Sequence, residues 1–230
     1  VNRAEFVVAL AIAATTGAAA SVSADIDVKR EADDLLAPFT VSIAVRNPSS
    51  HIIGIDFPTA EMYRIDVRHD DRILWSTATG HKPLSIARRI DVAPGVTRLA
   101  SQIVDGTTDD RRAYPPGDAI VHVALLGTTL NTRIDKPVSF AEPMSIADAL
   151  RTTGGRVVTI AGEPTTDAGR TDVRDASGTI RLSRPLGIRP TGKYVIRGFL
   201  DAVGDDVEFA VGRFAPAYDN LGAAKPIPPA

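Results

Sequence analysis

Apolar and polar residues alternate with period two along much of the chain, and Pro and Gly cut the alternation into short runs. In Phe39-Thr40-Val41-Ser42-Ile43-Ala44-Val45 the residues Phe39, Val41, Ile43 and Val45 share one face, the mark of a half-buried strand. Asn47-Pro48-Ser49 breaks that run, because Pro fixes φ and Asn favours turn initiation. A second strand is predicted over 52–57, and a third through Met62, Ile65 and Val67. Further runs cover 72–75, then 87–92 ahead of Ala93-Pro94-Gly95, then 96–104 and 118–125. About seven strands at this spacing predict an immunoglobulin-like β-sandwich over 25–130, with Trp75 as a plug between the sheets.

The pattern then changes. Residues 131–144, with Pro137 and Pro143, read as a linker. Ser145-Ile146-Ala147-Asp148-Ala149-Leu150 predicts a short helix with Ser145 as N-cap and Asp148 closing a capping-box-like pair. Strands follow over 156–162, 171–174 and 179–182, the last two forming a hairpin about Asp175-Ala176-Ser177-Gly178. Two more over 193–200 and 207–212 complete five, so 145–214 is expected to be a small OB-like barrel with one short helix. The predicted class is therefore all-β throughout. The stretch 215–230, with Pro216, Pro226, Pro228 and Pro229, reads as a disordered Pro-rich tail.

At the other end, Arg3 precedes the apolar run Phe6-Val7-Val8-Ala9-Leu10-Ala11-Ile12-Ala13-Ala14, and Val22-Ser23-Ala24 fits a small-x-small cleavage signature. This predicts a signal peptide over 1–24 and a mature start at Asp25. The run is shorter than the roughly 20 apolar residues that span a bilayer, so no stable membrane anchor is expected after cleavage. The expected location is secreted, periplasmic or cell-envelope. With no cysteine, the chain has no lipid-attachment cysteine and no disulfides, and its stability must come from packing.

Hydrophobic residues make up 44% and aromatics only 5%, so small aliphatic side chains must fill most of the core. The formal net charge is −2. From Lys136 onward 12 basic residues face 11 acidic ones, and 25–135 carries 13 basic and 16 acidic. Neither half has the basic balance of a nucleic-acid binder, and nucleic acid is not expected as a partner.

No nucleophile, metal or phosphate-binding spacing is present, so the chain is read as a non-enzyme without cofactor or metal. His51, His69, His81 and His122 lack zinc spacing and read as surface residues, His122 pointing away from the face shared by Val121 and Val123. Asp105, Asp109 and Asp110 around Gly106 lack the alternating carboxylates and terminal Glu of an EF-hand loop and read as a polar loop. Two loops could enter a protease cleft: 76–82, ahead of Pro83, and 105–116. In the second, Arg111-Arg112-Ala113-Tyr114 precedes Pro115-Pro116 and is the candidate protease-contact segment, against the alternative of a plain surface loop. Arg170, Arg174 and Arg181, with Arg184 and Arg189 near them, are a candidate anion-binding strip, against the alternative of a solvated hairpin face.

The ordered stretches Val45-Arg46-Asn47-Pro48-Ser49, Ile55-Asp56-Phe57-Pro58-Thr59-Ala60 and Tyr63-Arg64-Ile65-Asp66-Val67 carry a family likeness. It continues through Ile73-Leu74-Trp75-Ser76, Val92-Ala93-Pro94-Gly95 and Tyr114-Pro115-Pro116-Gly117-Asp118-Ala119-Ile120-Val121. In this order and spacing, residues 38–127 resemble the bacterial intracellular proteinase inhibitor (BsuPI) family, which implies an immunoglobulin-like sandwich and proteinase inhibition. Residues 145–214 are similar to OB-folds, whose second and third strands bind oligonucleotides or oligosaccharides. Here those strands carry no aromatic for base stacking. The expected function is an exported, non-enzymatic binding protein that inhibits an extracytoplasmic protease. The alternative is a cell-envelope adhesion or scaffold protein whose OB-like domain binds a glycan or an anionic ligand.

Overall fold

In the computed structural model, which describes residues 21–152, 155–188, 190–203 and 206–220, the chain is all-β with one five-residue helix among the described residues. The first nine strands are β1 (Ser23–Arg30), β2 (Phe39–Asn47), β3 (Ile53–Phe57), β4 (Tyr63–His69), β5 (Arg72–Ser76), β6 (Arg88–Val92), β7 (Gly95–Val104), β8 (Gly117–Leu126) and β9 (Asn131–Phe140). They form a β1-β2-β7 sheet, a β5-β4-β8-β9 sheet and a β3-β6 pair. The alternation in β2 puts Phe39, Val41, Ile43 and Val45 into one core with Ile65 and Val67 of β4 and Val121, Val123 and Leu125 of β8. Sheets hydrophobic on one face are stable only when those faces meet, and the result is a sandwich-like body.

Trp75 is only half-buried at the margin of this core. The plug expected of it is supplied by three other rings. Tyr114 stacks on Phe140 at 4.7 Å with an interplanar angle of 10°, and Phe39 is tilted against both at 6.4 and 6.5 Å. Arg30 caps the group, its guanidinium 4.7 Å from the Phe140 ring centroid.

Two boundaries differ from the sequence expectation. Residues 131–140 are no linker but the ten-residue strand β9, paired with β8 along its whole length. Pro137 is tolerated because β9 is a sheet edge, where a missing N–H costs no ladder bond. Strand β1 lacks large apolar residues at most positions but still alternates, with Ile26 inward opposite Ile43. Residues 1–20 of the expected leader lie outside the described residues, and its last two, Ser23 and Ala24, pair with Arg46 and Val45.

The second body contains α1 (Ile146–Leu150) and strands β10 (Val157–Asp167), β11 (Arg170–Arg174), β12 (Thr179–Leu182), β13 (Tyr194–Val203) and β14 (Asp206–Pro216). The strands close into a barrel in the order β10-β11-β12-β14-β13. Strands β12 and β14 are parallel, and every other neighbouring pair is antiparallel. Strand β10 pairs with β13 up to Gly162 and with β11 from Glu163 onward. A Cβ at Gly162 would lie 2.6 Å from the Arg174 carbonyl oxygen, so the close approach at this switch requires glycine. Helix α1 closes the barrel by burying Ile146 and Ala149 in its core.

The two bodies are fused. Ile160, Ile196 and Phe214 point into the barrel, while Ala161, Val195 and Ala215, one residue along on the same strands, join the core of the sandwich. Arg197 Nε donates to Asp34 Oδ2 at 2.9 Å, with both side chains about four-fifths buried. The Ala113 N–H donates to the Pro216 carbonyl at 3.0 Å, and Arg213 donates to the Asp105 carbonyl. Residues 215–220 are therefore not part of a disordered tail: Ala215 and Ala217 are buried, and a short 3-10 helix, Tyr218–Asn220, follows. Residues 221–230 lie outside the described residues.

The Tyr114 hydroxyl is buried without a hydrogen-bond partner among the described residues. Burial, with Asp105 and Asp109 nearby, pushes its ionisation far above the ordinary value of 10.0. A buried hydroxyl left unpaired costs about 1–3 kcal/mol. Tyr114→Phe is therefore expected to raise the melting temperature near neutral pH by roughly 2–4 °C per kcal/mol gained. An unfolded tyrosine ionises near pH 10, so the stability linked to neutral Tyr114 is present below that pH and is lost as pH rises above it. In denaturant titrations the variant should lose less stability than the wild type above pH 10; an equal loss would contradict this burial.

Candidate functional site

The Arg111–Tyr114 segment is not a protruding loop. Arg111 is exposed, in the left-handed region at φ 61°, but Arg112 is half-buried, pairing with Asp110 at 3.1 Å and donating to the Ala217 carbonyl at 3.4 Å. Ala113 and Tyr114 are fully buried. The prolines stiffen the segment, but its apolar residues gain more from the core and from the barrel than from water. The loop that presented itself as a contact surface is a joint between the two bodies.

The strip of Arg170, Arg174 and Arg181 shares one outer barrel face, but it is not a basic strip. Arg170 stands opposite Asp167, Arg174 opposite Glu163, and Arg181 opposite both Asp172 and Glu208. Arg181 is paired with Asp172 at 3.3 Å. Four carboxylates interleave with three guanidiniums, so no net positive field remains along these strands. Arg184 donates to the Val211 carbonyl at 2.8 Å, and Arg189 lies outside the described residues.

His122 is also not a surface residue. It points away from Val121 and Val123, as expected, yet only 9% of it is exposed, and its Nδ1 lies 2.5 Å from Asp135 Oδ1. It belongs to a polar row across the outer face of its sheet, Ser76–Asp66–His122–Asp135, in which each neighbour is a cross-strand partner. Ser76 donates to Asp66 at 2.7 Å and Arg68 at 2.8 Å. Asp66, almost fully buried, is thereby satisfied, and the row reads as sheet glue. Asp109 accepts from the Ser76 N–H at 3.1 Å and from Thr79, while burial pushes its carboxyl above the usual range.

Two of the solvent-facing features among the described residues offer room for a partner. The first is the connection between β5 and β6. Every residue from 81 to 89 is exposed, including Leu84 at 64% and Ile86 at 60%. The segment is nevertheless tethered: the Leu84 carbonyl accepts from the Ala60 N–H at 3.0 Å and the Ile86 N–H at 2.8 Å. Of the loop flagged over 76–82, only its end belongs to this segment.

The second is a cleft of about 600 Å3 on the barrel, open to solvent, between the segment entering α1, the centre of β10 and the β11–β12 turn. Its lining mixes the apolar Pro143, Met144 and Ala161 with the polar Glu163, Arg174, Asp175, Ser177 and Lys193. Helix α1 does not offer its N-terminus to this cleft. Ser145 accepts from the Asp148 N–H, Asp175 Oδ2 from the Ile146 N–H at 2.8 Å, and Ser177 Oγ from the Ala147 N–H at 2.9 Å. Asp175 Oδ1 further accepts from the N–H groups of Ser177 and Gly178 at 2.7 and 2.9 Å. Partial burial of Asp175 raises its pKa, but these hydrogen bonds outweigh it and hold the carboxyl below its usual range. The Ser–Gly turn was legible as a hairpin; that Asp175 also caps a helix distant in sequence was not.

No protein-family model matches the sequence, and no curated protein sequence matches it.

Asp175→Ala removes a cap and the brace of the turn, and is expected to cost about 1–2 kcal/mol in urea unfolding at neutral pH. Because the folded carboxyl titrates below the unfolded one, this contribution is present above roughly pH 4 and fades as pH falls through the folded value. An equal wild-type advantage at pH 7 and pH 2 would contradict that role.

Proposed function

We propose that the chain is a non-catalytic binding protein that grips a protein partner through the exposed connection at 81–89. The observation that carries this reading is the conjunction of exposure and tethering there. Two large aliphatic side chains face water on a backbone held to the body through the Leu84 carbonyl. Exposed apolar groups on a preorganised segment lower the ordering cost of association.

A proteinase is the partner class implied by the likeness of residues 38–127 to BsuPI domains, and the strand count of the first body supports an immunoglobulin-like assignment. The order β10-β11-β12-β14-β13 with its parallel β12/β14 contact supports an OB-like second body. An extracytoplasmic partner follows from the leader expected over 1–24. The mode of inhibition differs from substrate-like insertion at Leu84. Its carbonyl is already bonded inward and is not presented to an oxyanion hole. Contact is made by side chains, and the proteinase is blocked sterically.

Titration of the chain against subtilisin-like and trypsin-like secreted proteases tests this. Inhibition is expected at micromolar concentration with the chain left uncleaved at 81–89, and Leu84→Ser with Ile86→Ser should weaken it by about tenfold or more at unchanged melting temperature. No inhibition at micromolar excess, or full inhibition by the double variant, would sink the proposal.

A further inference from the structure

A sheet edge offers a row of unpaired N–H and C=O groups to another chain, so edges are normally short, charged or interrupted by Pro. Most edges of the sandwich follow that rule. β9 carries Lys136 and Pro137, β1 carries Asp25, Asp27 and Lys29, and β3, β5 and β6 have five residues each. β7 departs from it. This strand is ten residues long, paired with β2 on one side only, and carries no Pro and a single charge, Arg98. Beyond the ladder with β2, the one hydrogen bond to its backbone among the described residues runs from Gln102 Nε2 to the Ile103 carbonyl at 3.1 Å. Val96 and Ile103, near its two ends, are 63% and 66% exposed.

A bulge decides which residues share a face. Arg98 stands opposite Ala44 and Ala100 opposite Ile43, so Leu99 is an extra residue. Val96 and Arg98 before the bulge, and Ser101 and Ile103 after it, therefore share the outer face with Arg46, Ala44, Ser42 and Thr40 of β2. Thr97, Leu99, Ala100 and Gln102 are half-buried toward the core, whose flank is left uncovered at this edge. Turned about a twofold axis beside the Leu99–Ala100 peptide, the strand is complementary to itself. Val96 then faces Ile103 of the second copy, Thr97 faces Gln102, Arg98 faces Ser101 and Leu99 faces Ala100. In an unbulged strand, 96 and 103 would lie on opposite faces and could not pair in this way. With the bulge they match, and the extra residue of one copy meets that of the other, so the ladder keeps its count. No like charges are opposed, and the two exposed aliphatic residues cover each other at both ends.

We propose that β7 pairs antiparallel with β7 of a second copy in this register, joining two β1-β2-β7 sheets into one of six strands. The contact is isologous, so it closes at two copies. Ten residues span about 34 Å, and a strip one strand wide lies at the small end of specific interfaces, below about 1,200 Å2, so the dimer is weak. It is independent of the contact at 81–89.

Sedimentation equilibrium of the full chain from about 1 to 500 µM tests this, with a reversible monomer–dimer equilibrium of Kd about 10–100 µM expected. Val96→Asp alone and Ile103→Lys alone should each weaken the dimer about tenfold or more, because each change falls twice in it. Combined in one chain, the two substitutions set opposite charges against each other, and dimerisation should return to within about threefold of the wild type. Leu84→Ser with Ile86→Ser should leave it unchanged, which separates failure here from failure of the contact at 81–89. Should a variant fail to fold, hydrogen exchange of the wild type decides: the amides of 96–103 should exchange more slowly at about 500 µM than at about 5 µM, and those of β1 equally at both. A monomer at every concentration would overturn the proposal and leave this edge to a strand of another protein. A dimer that survives both single substitutions, no recovery in the combined variant, or exchange on β7 that does not slow with concentration would overturn it as well.

Discussion

The interaction on which the rest depends is the burial of the barrel's outer wall in the core of the sandwich. Small barrels fill their interiors with inward side chains and leave the alternate positions to water. In this chain Ala161, Val195 and Ala215 occupy such alternate positions and are buried nonetheless, together with Ala217 beyond the last strand. Small residues allow two sheets to approach closely, and the polar groups at the rim are paired as they do so. Arg197 meets Asp34, and the backbone of Ala113 meets that of Pro216. One hydrophobic contact thereby consumes the segment at 111–114, the start of the C-terminal segment and the connection between β1 and β2, whose Leu35, Leu36 and Ala37 are also buried.

That contact redistributes what is available for function. A basic pair before two prolines looks like bait for a protease, but at a joint it serves structure. Arginines close in sequence look like an anion site, but strand pairing brings a carboxylate opposite each. What remains open is determined by topology. The long crossing from one sheet to another leaves 81–87 outside both, and the change of partner along β10 leaves a gap beside Gly162 where the cleft forms.

The sequence was most legible where a strand has one face in a core. Strands β2, β4 and β8 are marked by apolar residues at every second position, and Pro or Gly closes β2, β3 and β6 and opens β8. The short helix was legible from Ser145 and Asp148, since capping is local. Two strands escaped for identifiable reasons. β1 presents Asp25, Asp27 and Lys29 outward and only Ile26 and Val28 as large aliphatics inward, so its alternation is faint next to the apolar leader. β9 contains Pro137, which speaks against a central strand but is harmless at an edge. The site residues were less legible because their fate depends on cross-strand register: Arg174 faces Glu163, and Tyr114 finds Phe140, only once long-range pairing is fixed. His122 illustrates the same limit, since alternation gives its side of the sheet but not that Asp135 would pair with it there.

If the two bodies share one core, they must melt together. Scanning calorimetry of the full chain should show a single transition whose calorimetric and van't Hoff enthalpies agree, and Arg197→Ala should lower that transition as a whole. Two separable transitions, with the barrel's unmoved by Arg197→Ala, would mean that the bodies are merely tethered and would contradict the account.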